Sequence, residues 1–243
     1  MNPLEQFEQE KQDRIASYTR DPEFKGLSQA WISQAMRKYW VYNFSWMGRP
    51  IIQNPVDMIA LQEIVWQVKP DLIIETGVAH GGSVIYSASL LELIGHGEVV
   101  GIDIDIRDHN RPLIENHPMA KRLKLIQGSS IDPAVVQQVH ELAKGKERIL
   151  VCLDSNHTHE HVMAELAAYA PLVSPGSYCI VFDTIVEDMP PGSFPNRPWE
   201  VGDNPKTAVV EFLKQHPEFE TDAHYADKLM TSLVGCGYLR RKA

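Results

Sequence analysis

Two aspartates and a histidine hold the densest chemistry in this 243-residue chain. Asp154 ends the apolar run 148–154, and Asp183 ends the run 177–183. Carboxylates at the ends of neighbouring strands suit a hard cation such as Mg²⁺, which prefers oxygen ligands and keeps several waters. Such an ion can chelate vicinal hydroxyls and lower the pKa of one. His157 follows Asp154 by three positions, in Asp-Ser-Asn-His. An imidazole titrating near neutrality is matched to taking a hydroxyl proton. A quieter reading stays open, in which the aspartates cap loops and orient a substrate while the histidine caps a helix. His157, His159 and His161 also invite zinc. That pattern fails, because His-Thr-His-Glu-His is not H-E-x-x-H and no third soft ligand is evident.

A second constellation lies upstream. The apolar run 72–75 ends in Glu75 and passes into Thr76-Gly77-Val78-Ala79-His80-Gly81-Gly82-Ser83. Glycines there let the backbone turn tightly and approach a ligand, and the helix that follows offers free N–H groups. The spacing departs from G-x-G-x-x-G, and no G-K-[ST] follows, so a P-loop is excluded. Asp103 ends the next apolar run, 28 positions after Glu75. An acid there can accept both hydroxyls of a ribose. Gly128, Ser129 and Ser130 follow the third run and would lie beside an adenine. Together these residues point to an adenosyl cofactor; the alternative is that Glu75 and Asp103 cap neighbouring helices.

These residues need a frame, and the pattern supplies one. Strands are expected at 72–75, 98–103, 123–127, 148–154 and 177–183, separated by helices at 83–94, within 109–120, at 133–142 and near 158–170. Such alternation predicts a mostly parallel sheet covered on both faces. A helix at 206–215 and strands near 217–221 and 229–239 close the chain. With no helix between those last strands, one of them is antiparallel. Upstream, Asn54 is the expected N-cap of a helix running to about Val68, with Pro55 in its first turn. Residues 1–20 read as a polar helix or arm. An aromatic cluster at 27–47 includes Trp31, Tyr39, Trp40, Tyr42, Phe44 and Trp46; it packs on the core or a partner subunit, or walls a ligand. The proline-rich stretch 184–205 is too long for a plain connector. Its Phe194, Arg197 and Trp199 could cover an acceptor or meet another subunit.

Composition sets the outer bounds. The net charge of −9 argues against nucleic acid or an anionic membrane surface as the main partner. Hydrophobic residues make up 44% and charged residues 23%, which excludes a largely disordered chain. Three scattered cysteines fit a reducing compartment, and no secretory signal or membrane span is read, so the expected address is the cytoplasm.

The segments IIETGVAHGGS, GIDID, LDSNHTHEHV and YCIVFDT, in that order and with YNFSWMGRPIIQNPVDM upstream, resemble the cephalosporin hydroxylase/rhamnosyl O-methyltransferase family. The likeness covers about residues 40–240. It implies an S-adenosylmethionine-dependent methyltransferase, many members of the family also using Mg²⁺. It implies a Rossmann-like, doubly wound α/β fold with an antiparallel C-terminal strand and an N-terminal helical extension. The extension is expected over 1–69, the methyltransferase domain over 70–243, and a homo-oligomer overall. Asp154 and Asp183 match the family's acidic metal positions, and His157 stands where its sugar methyltransferases place the general base. One departure concerns the metal: members with a defined site have a second acid just before Asp183, where this chain has Phe182. Thr184, Glu187 and Asp188 are the neighbours available to complete the shell.

The expected reaction is therefore direct methyl transfer to a sugar hydroxyl of a small-molecule or glycan acceptor. Glu75, Thr76, Gly77, His80, Gly81, Gly82, Ser83, Asp103, Gly128, Ser129 and Ser130 would hold the cofactor, Asp154 and Asp183 the ion, and His157 with Asp154 would serve catalysis. Three rivals are weighed. A nicotinamide oxidoreductase needs the missing G-x-G-x-x-G. A non-catalytic cofactor-binding partner is favoured by Phe182 alone. A true hydroxylase needs an iron triad of two histidines and a carboxylate, of which only part is present.

Overall fold

The computed structural model describes residues 2–243. Two helices, α1 (Pro3–Tyr18) and α2 (Pro22–Arg37), precede a small hairpin, β1 (Phe44–Trp46) and β2 (Arg49–Ile51). Then follow α3 (Pro55–Val68), β3 (Leu72–Thr76), α4 (Gly82–Ile94), β4 (Glu98–Asp103), α5 (Arg111–Glu115) and β5 (Leu123–Gln127). The second half holds α6 (Pro133–Ala143), β6 (Ile149–Leu153), α7 (His159–Tyr169), β7 (Tyr178–Val181), α8 (Pro205–Gln215), β8 (Phe219–Thr221), α9 (Ala223–Leu229) and β9 (Tyr238–Arg241).

Seven strands form one sheet in the order β5-β4-β3-β6-β7-β9-β8. The five from β5 to β7 run parallel, and β9 runs antiparallel to both β7 and β8. This is the doubly wound α/β sheet that the alternating pattern predicts. Strand side chains alternate between the two faces. Ile73, Leu150 and Ile180 enter the core under α3 and α4, while Ile74, Val151 and Val181 enter the core under α6, α7 and α8. Because both faces are covered, β3 and β6 are buried along their whole length; β6 is apolar throughout, and β3 is apolar up to Glu75 and Thr76 at its carboxyl end.

Two expectations need correction. A helix, α9, does stand between the last two strands, and the final strand begins only at Tyr238. Asp222 accepts from the His224 N–H and starts the helix, which turns Tyr225 and Leu229 inward. Leu233 and Val234 are also buried, but on irregular backbone around Gly235. Burial of apolar residues in a loop imitated a strand. Asn54 does precede α3, yet its side chain makes no cap; its amide donates to the Thr231 carbonyl instead (2.6 Å). The α3 side of the fold is tied to the same C-terminal segment by buried Asp57, which accepts from Leu233 N (2.8 Å), Tyr238 Oη (2.8 Å) and Ser232 Oγ.

Candidate active site

The chain leaves β3 toward one edge of the sheet and returns to place β6 on β3's other side. A crevice opens at the carboxyl ends of strands where such an order reverses. Gly77 follows β3 and Asp154 follows β6, and the Asp154 N–H donates to the Thr76 carbonyl (3.0 Å). The two constellations read from the sequence therefore meet at one point.

Close backbone approach explains two of the glycines. A Cβ on Gly77 would lie 2.0 Å from the Asp154 carbonyl oxygen, and φ there is +89°. A Cβ on Gly82 would lie 2.2 Å from the Pro50 carbonyl oxygen. The loop is held from outside as well. Asp103 Oδ2 accepts from the N–H groups of Val78 (2.8 Å) and Ala79 (3.0 Å). Arg49, buried, donates through Nε (3.0 Å) and Nη2 (2.6 Å) to the His80 carbonyl, and through Nη2 to Asn110 Oδ1 (2.9 Å).

The acidic centre lies across the crevice. Asp154, His157 and Asp183 each offer a ligand atom, and those atoms lie within 4.8 Å of one another. His157 Nε2 is 3.1 Å from Asp183 Oδ2. Asp154 Oδ2 accepts from Gln53 Nε2 (2.7 Å). Loss of hydration, then the facing charges of Asp183 and Glu75, hold the Asp154 carboxyl well above the usual carboxylate range. Asp183 itself sits in the left-handed region (φ +55°), which turns its side chain off the end of β7. Trp199 stands edge-on to the His157 ring (centroids 4.6 Å), and the Arg197 guanidinium lies over the Trp199 ring (5.2 Å).

A cavity of about 230 Å³ joins the loop to this centre. Gly77, His80, Gly82, Ser83, Asp154, His157 and Asp183 all line it. Phe194, Arg197 and Trp199 of the proline-rich stretch cover one side. The other expected residues surround the cavity without facing it. Thr76 is fully buried, and Gly81 backs onto Ile114. Glu75 is buried beneath α4, accepting from Ser87 Oγ (3.2 Å), and its carboxyl is pushed up to about 7 chiefly by burial. Asp103 stands at the end of β4, and Gly128 and Ser129 at the end of β5. Ser130 is buried with its Oγ 3.1 Å from His161 Nε2, which also meets Ser155 Oγ (3.1 Å).

Three neighbours of Phe182 do not complete a cation shell here. Thr184 bonds the Val234 carbonyl, Glu187 accepts from Gly202 N and Asn204 Nδ2, and Asp188 pairs with Lys206. Phe182 itself is buried in the apolar core. Sequence reasoning missed Gln53, Arg49 and Met36. Arg49 and Gln53 lie in the segment YNFSWMGRPIIQNPVDM that carries the resemblance, but their partners are distant in the chain, and Met36 enters only by lining the cavity. Tyr42, one of the aromatic cluster, also lines the cavity.

A family model described as Rhamnosyl O-methyltransferase/CmcI matches residues 38–242. A rhamnosyl O-methyltransferase of Mycobacterium tuberculosis is 28% identical over 222 residues, covering 86% of this chain and 85% of its own. One from Mycobacterium leprae is 28% identical over 221 residues, covering 87% and 91%. Among solved structures, CmcI with Mg and SAM is similar at a TM-score of 0.61 and 22% identity, over 83% of this chain and 78% of that one. The O-methyltransferase from Bacillus cereus in complex with SAH is similar at a TM-score of 0.52 and 16% identity, over 80% and 81%. The two structural likenesses establish the fold.

Proposed function

The chain belongs to the rhamnosyl O-methyltransferase/CmcI family and is an S-adenosylmethionine-dependent O-methyltransferase; from that premise we propose that its acceptor is a hydroxyl of a sugar, in a glycan, glycolipid or natural product, and that His157 removes the proton. The observation that carries this reading is the position of His157, which lines the same cavity as the glycine loop and pairs with Asp183.

The donor set fits a hard divalent cation. Asp154 and Asp183 repel each other in a poorly hydrated pocket, and a cation relieves such a pair. We assign the ion, Mg²⁺, to these two carboxylates. When bound it supplies positive charge that lowers the pKa of a coordinated hydroxyl. S-adenosylmethionine supplies the electrophilic methyl group. The 77–83 loop and Asp103 hold its nucleoside, with Gly128, Ser129 and Ser130 on the adenine side. A carboxylate has about four acceptor directions; three of Asp103's are taken by Val78, Ala79 and Asp105, which leaves about one for a ribose hydroxyl rather than the two that the sequence suggests.

His157 cannot give one lone pair to both a cation and a proton. His157 Nε2 lies 3.1 Å from Asp183 Oδ2, an ion pair once the ring is protonated. Asp183 holds the ring and stabilises the imidazolium that forms. Alignment of acceptor and sulfonium is the larger source of rate.

Two coarser features belong to the same reading. Among the described residues, no helix is long and apolar enough to cross a membrane; the three free thiols support a reducing, cytoplasmic address. Exposed Trp31 supports a homo-oligomer.

Calorimetric titration with S-adenosylhomocysteine after chelation, with and without added Mg²⁺, tests the cofactor. Mass spectrometry of deoxysugar glycosides incubated with S-adenosylmethionine tests the acceptor. Micromolar binding and a gain of one methyl group are expected. Absence of nucleoside binding in both conditions would remove this reading.

A further inference from the structure

A trough of about 800 Å³ lies beside the reaction cavity. Met36, Tyr42, Phe194 and Arg197 line both, so the two are continuous. One wall is the end of α2 with the turn after it, and the other is the segment 189–197. The sugar whose hydroxyl is methylated must reach Asp154 and His157, and this trough offers a continuous way out for whatever that sugar is attached to.

Charge identifies the occupant. Arg37 and Arg197 both line the trough, and no acid does. Among the described residues, arginine–carboxylate pairs are made by Arg14, Arg111, Arg122 and Arg148, and by neither of these two. Two guanidinium groups without a carboxylate partner thus face one concavity, on a chain whose net charge is −9. Arg197 rests on Trp199, which touches His157, so its charge lies two ring contacts from the base. Tyr39 and Tyr42, 68% and 47% exposed, meet edge to face on the same wall (5.7 Å). Rings so exposed can stack on the apolar face of a sugar or on an aryl group.

We propose that this trough binds an anionic group carried by the acceptor beyond the methylated sugar, a carboxylate or a phosphate, with Arg37 and Arg197 as its counter-charges and Tyr39 and Tyr42 as a stacking wall. The guanidinium fork matches either anion through paired N–H donors. The inference rests on the sugar O-methyltransferase reading and adds the chemical class of the acceptor.

Three probes test it: phenyl, 4-carboxyphenyl and 4-phosphophenyl α-L-rhamnoside, the sugar being the one in the relatives' names. Each is titrated calorimetrically into protein saturated with S-adenosylhomocysteine and Mg²⁺. At least one anionic probe is expected to bind about tenfold more tightly than the neutral one, the size of one hydrogen bond to a charged group. The advantage shrinks in high salt. Arg37→Gln and Arg197→Gln each reduce it, and the double variant, checked for folding by its melting temperature, abolishes it. The arm that gains more identifies carboxylate or phosphate. Equal affinities, a preference that survives in the double variant, or no binding by any probe overturns the proposal. So does self-association lost in the double variant without a probe preference, which puts a second copy in the trough. S-adenosylhomocysteine binding is read separately, so failure of the methyltransferase reading is distinguishable.

Discussion

His157 Nε2 stands 3.1 Å from Asp183 Oδ2, so the carboxylate assigned to the cation also orients the base. One residue thereby couples two parts of the site. Replacing His157 by Ala should lower turnover by about 10²- to 10⁴-fold, the usual worth of a general base, while leaving S-adenosylhomocysteine binding intact. Normal turnover would take His157 out of that role. Asp183→Asn tests the coupling. If its loss of activity is only weakened ion binding, added Mg²⁺ restores the rate; a deficit persisting at saturating Mg²⁺ shows that ring orientation was lost too.

Gln53 donates to Asp154 Oδ2 at 2.7 Å and so fixes which way that carboxylate faces. A group that orients a ligating residue is worth about 10–100-fold in metal affinity or activity. Gln53→Leu should weaken Mg²⁺ affinity, read from turnover, by that factor, and Gln53→Glu should not restore the orientation, because it replaces the amide donor to Asp154 by another acceptor. An unchanged Mg²⁺ titration in Gln53→Leu would remove Gln53 from the site.

Gly77 has no room for a methyl group, since its Cβ would sit 2.0 Å from the Asp154 carbonyl oxygen at φ +89°. Gly77→Ala should cost about 2–4 kcal/mol of stability through combined strain and displacement, read from the denaturant midpoint. It should also separate the loop from the acidic centre, so activity falls even where the variant folds. Gly145→Ala is the control: its φ is also positive (+76°), but nothing lies within 4 Å. It should carry the strain alone and keep activity.

Glu75 predicts a pH dependence of stability. Burial raises its carboxyl from 4.5 to about 7. The folded state therefore holds a proton that the unfolded state releases. Stability from this group is fully present below pH 4.5, declines as pH rises, and is lost above pH 7, by about 3 kcal/mol. Asp57, raised from 3.8 to about 6 chiefly by burial, adds a decline of the same sign at lower pH. Unfolding midpoints between pH 4 and 8 check this, and Glu75→Gln should flatten the upper part of the slope. A midpoint for Glu75→Gln that tracks the parent across the range would mean that Glu75 is ionised in the folded protein.

Much of the frame was legible because it is written locally. β4 and β5 have the predicted bounds, 98–103 and 123–127: β4 is buried from Val99 to Ile102, while β5, at the sheet edge, exposes Lys124 and buries Ile126. The long irregular stretch was legible from its prolines. The error at 229–239 has the same origin in reverse: Leu233 and Val234 are buried by tertiary contact rather than by strand pairing, and composition alone does not separate the two.

The sequence by itself determined the layers, the crossover pattern and the residues at the carboxyl ends of the parallel strands, because hydrophobic period and glycine punctuation act over a few residues. It also showed which residue types could hold a nucleoside, a cation and a proton. Only the tertiary structure decided that β6 lies beside β3, which joins the glycine loop to Asp154. It alone recruited Gln53 and Arg49, separated from their partners by 101 and by 31 and 61 positions, and aimed Arg37 and Arg197 into one trough. Hydrogen bonds and charge pairs of that separation depend on how whole elements pack, and no local pattern records them.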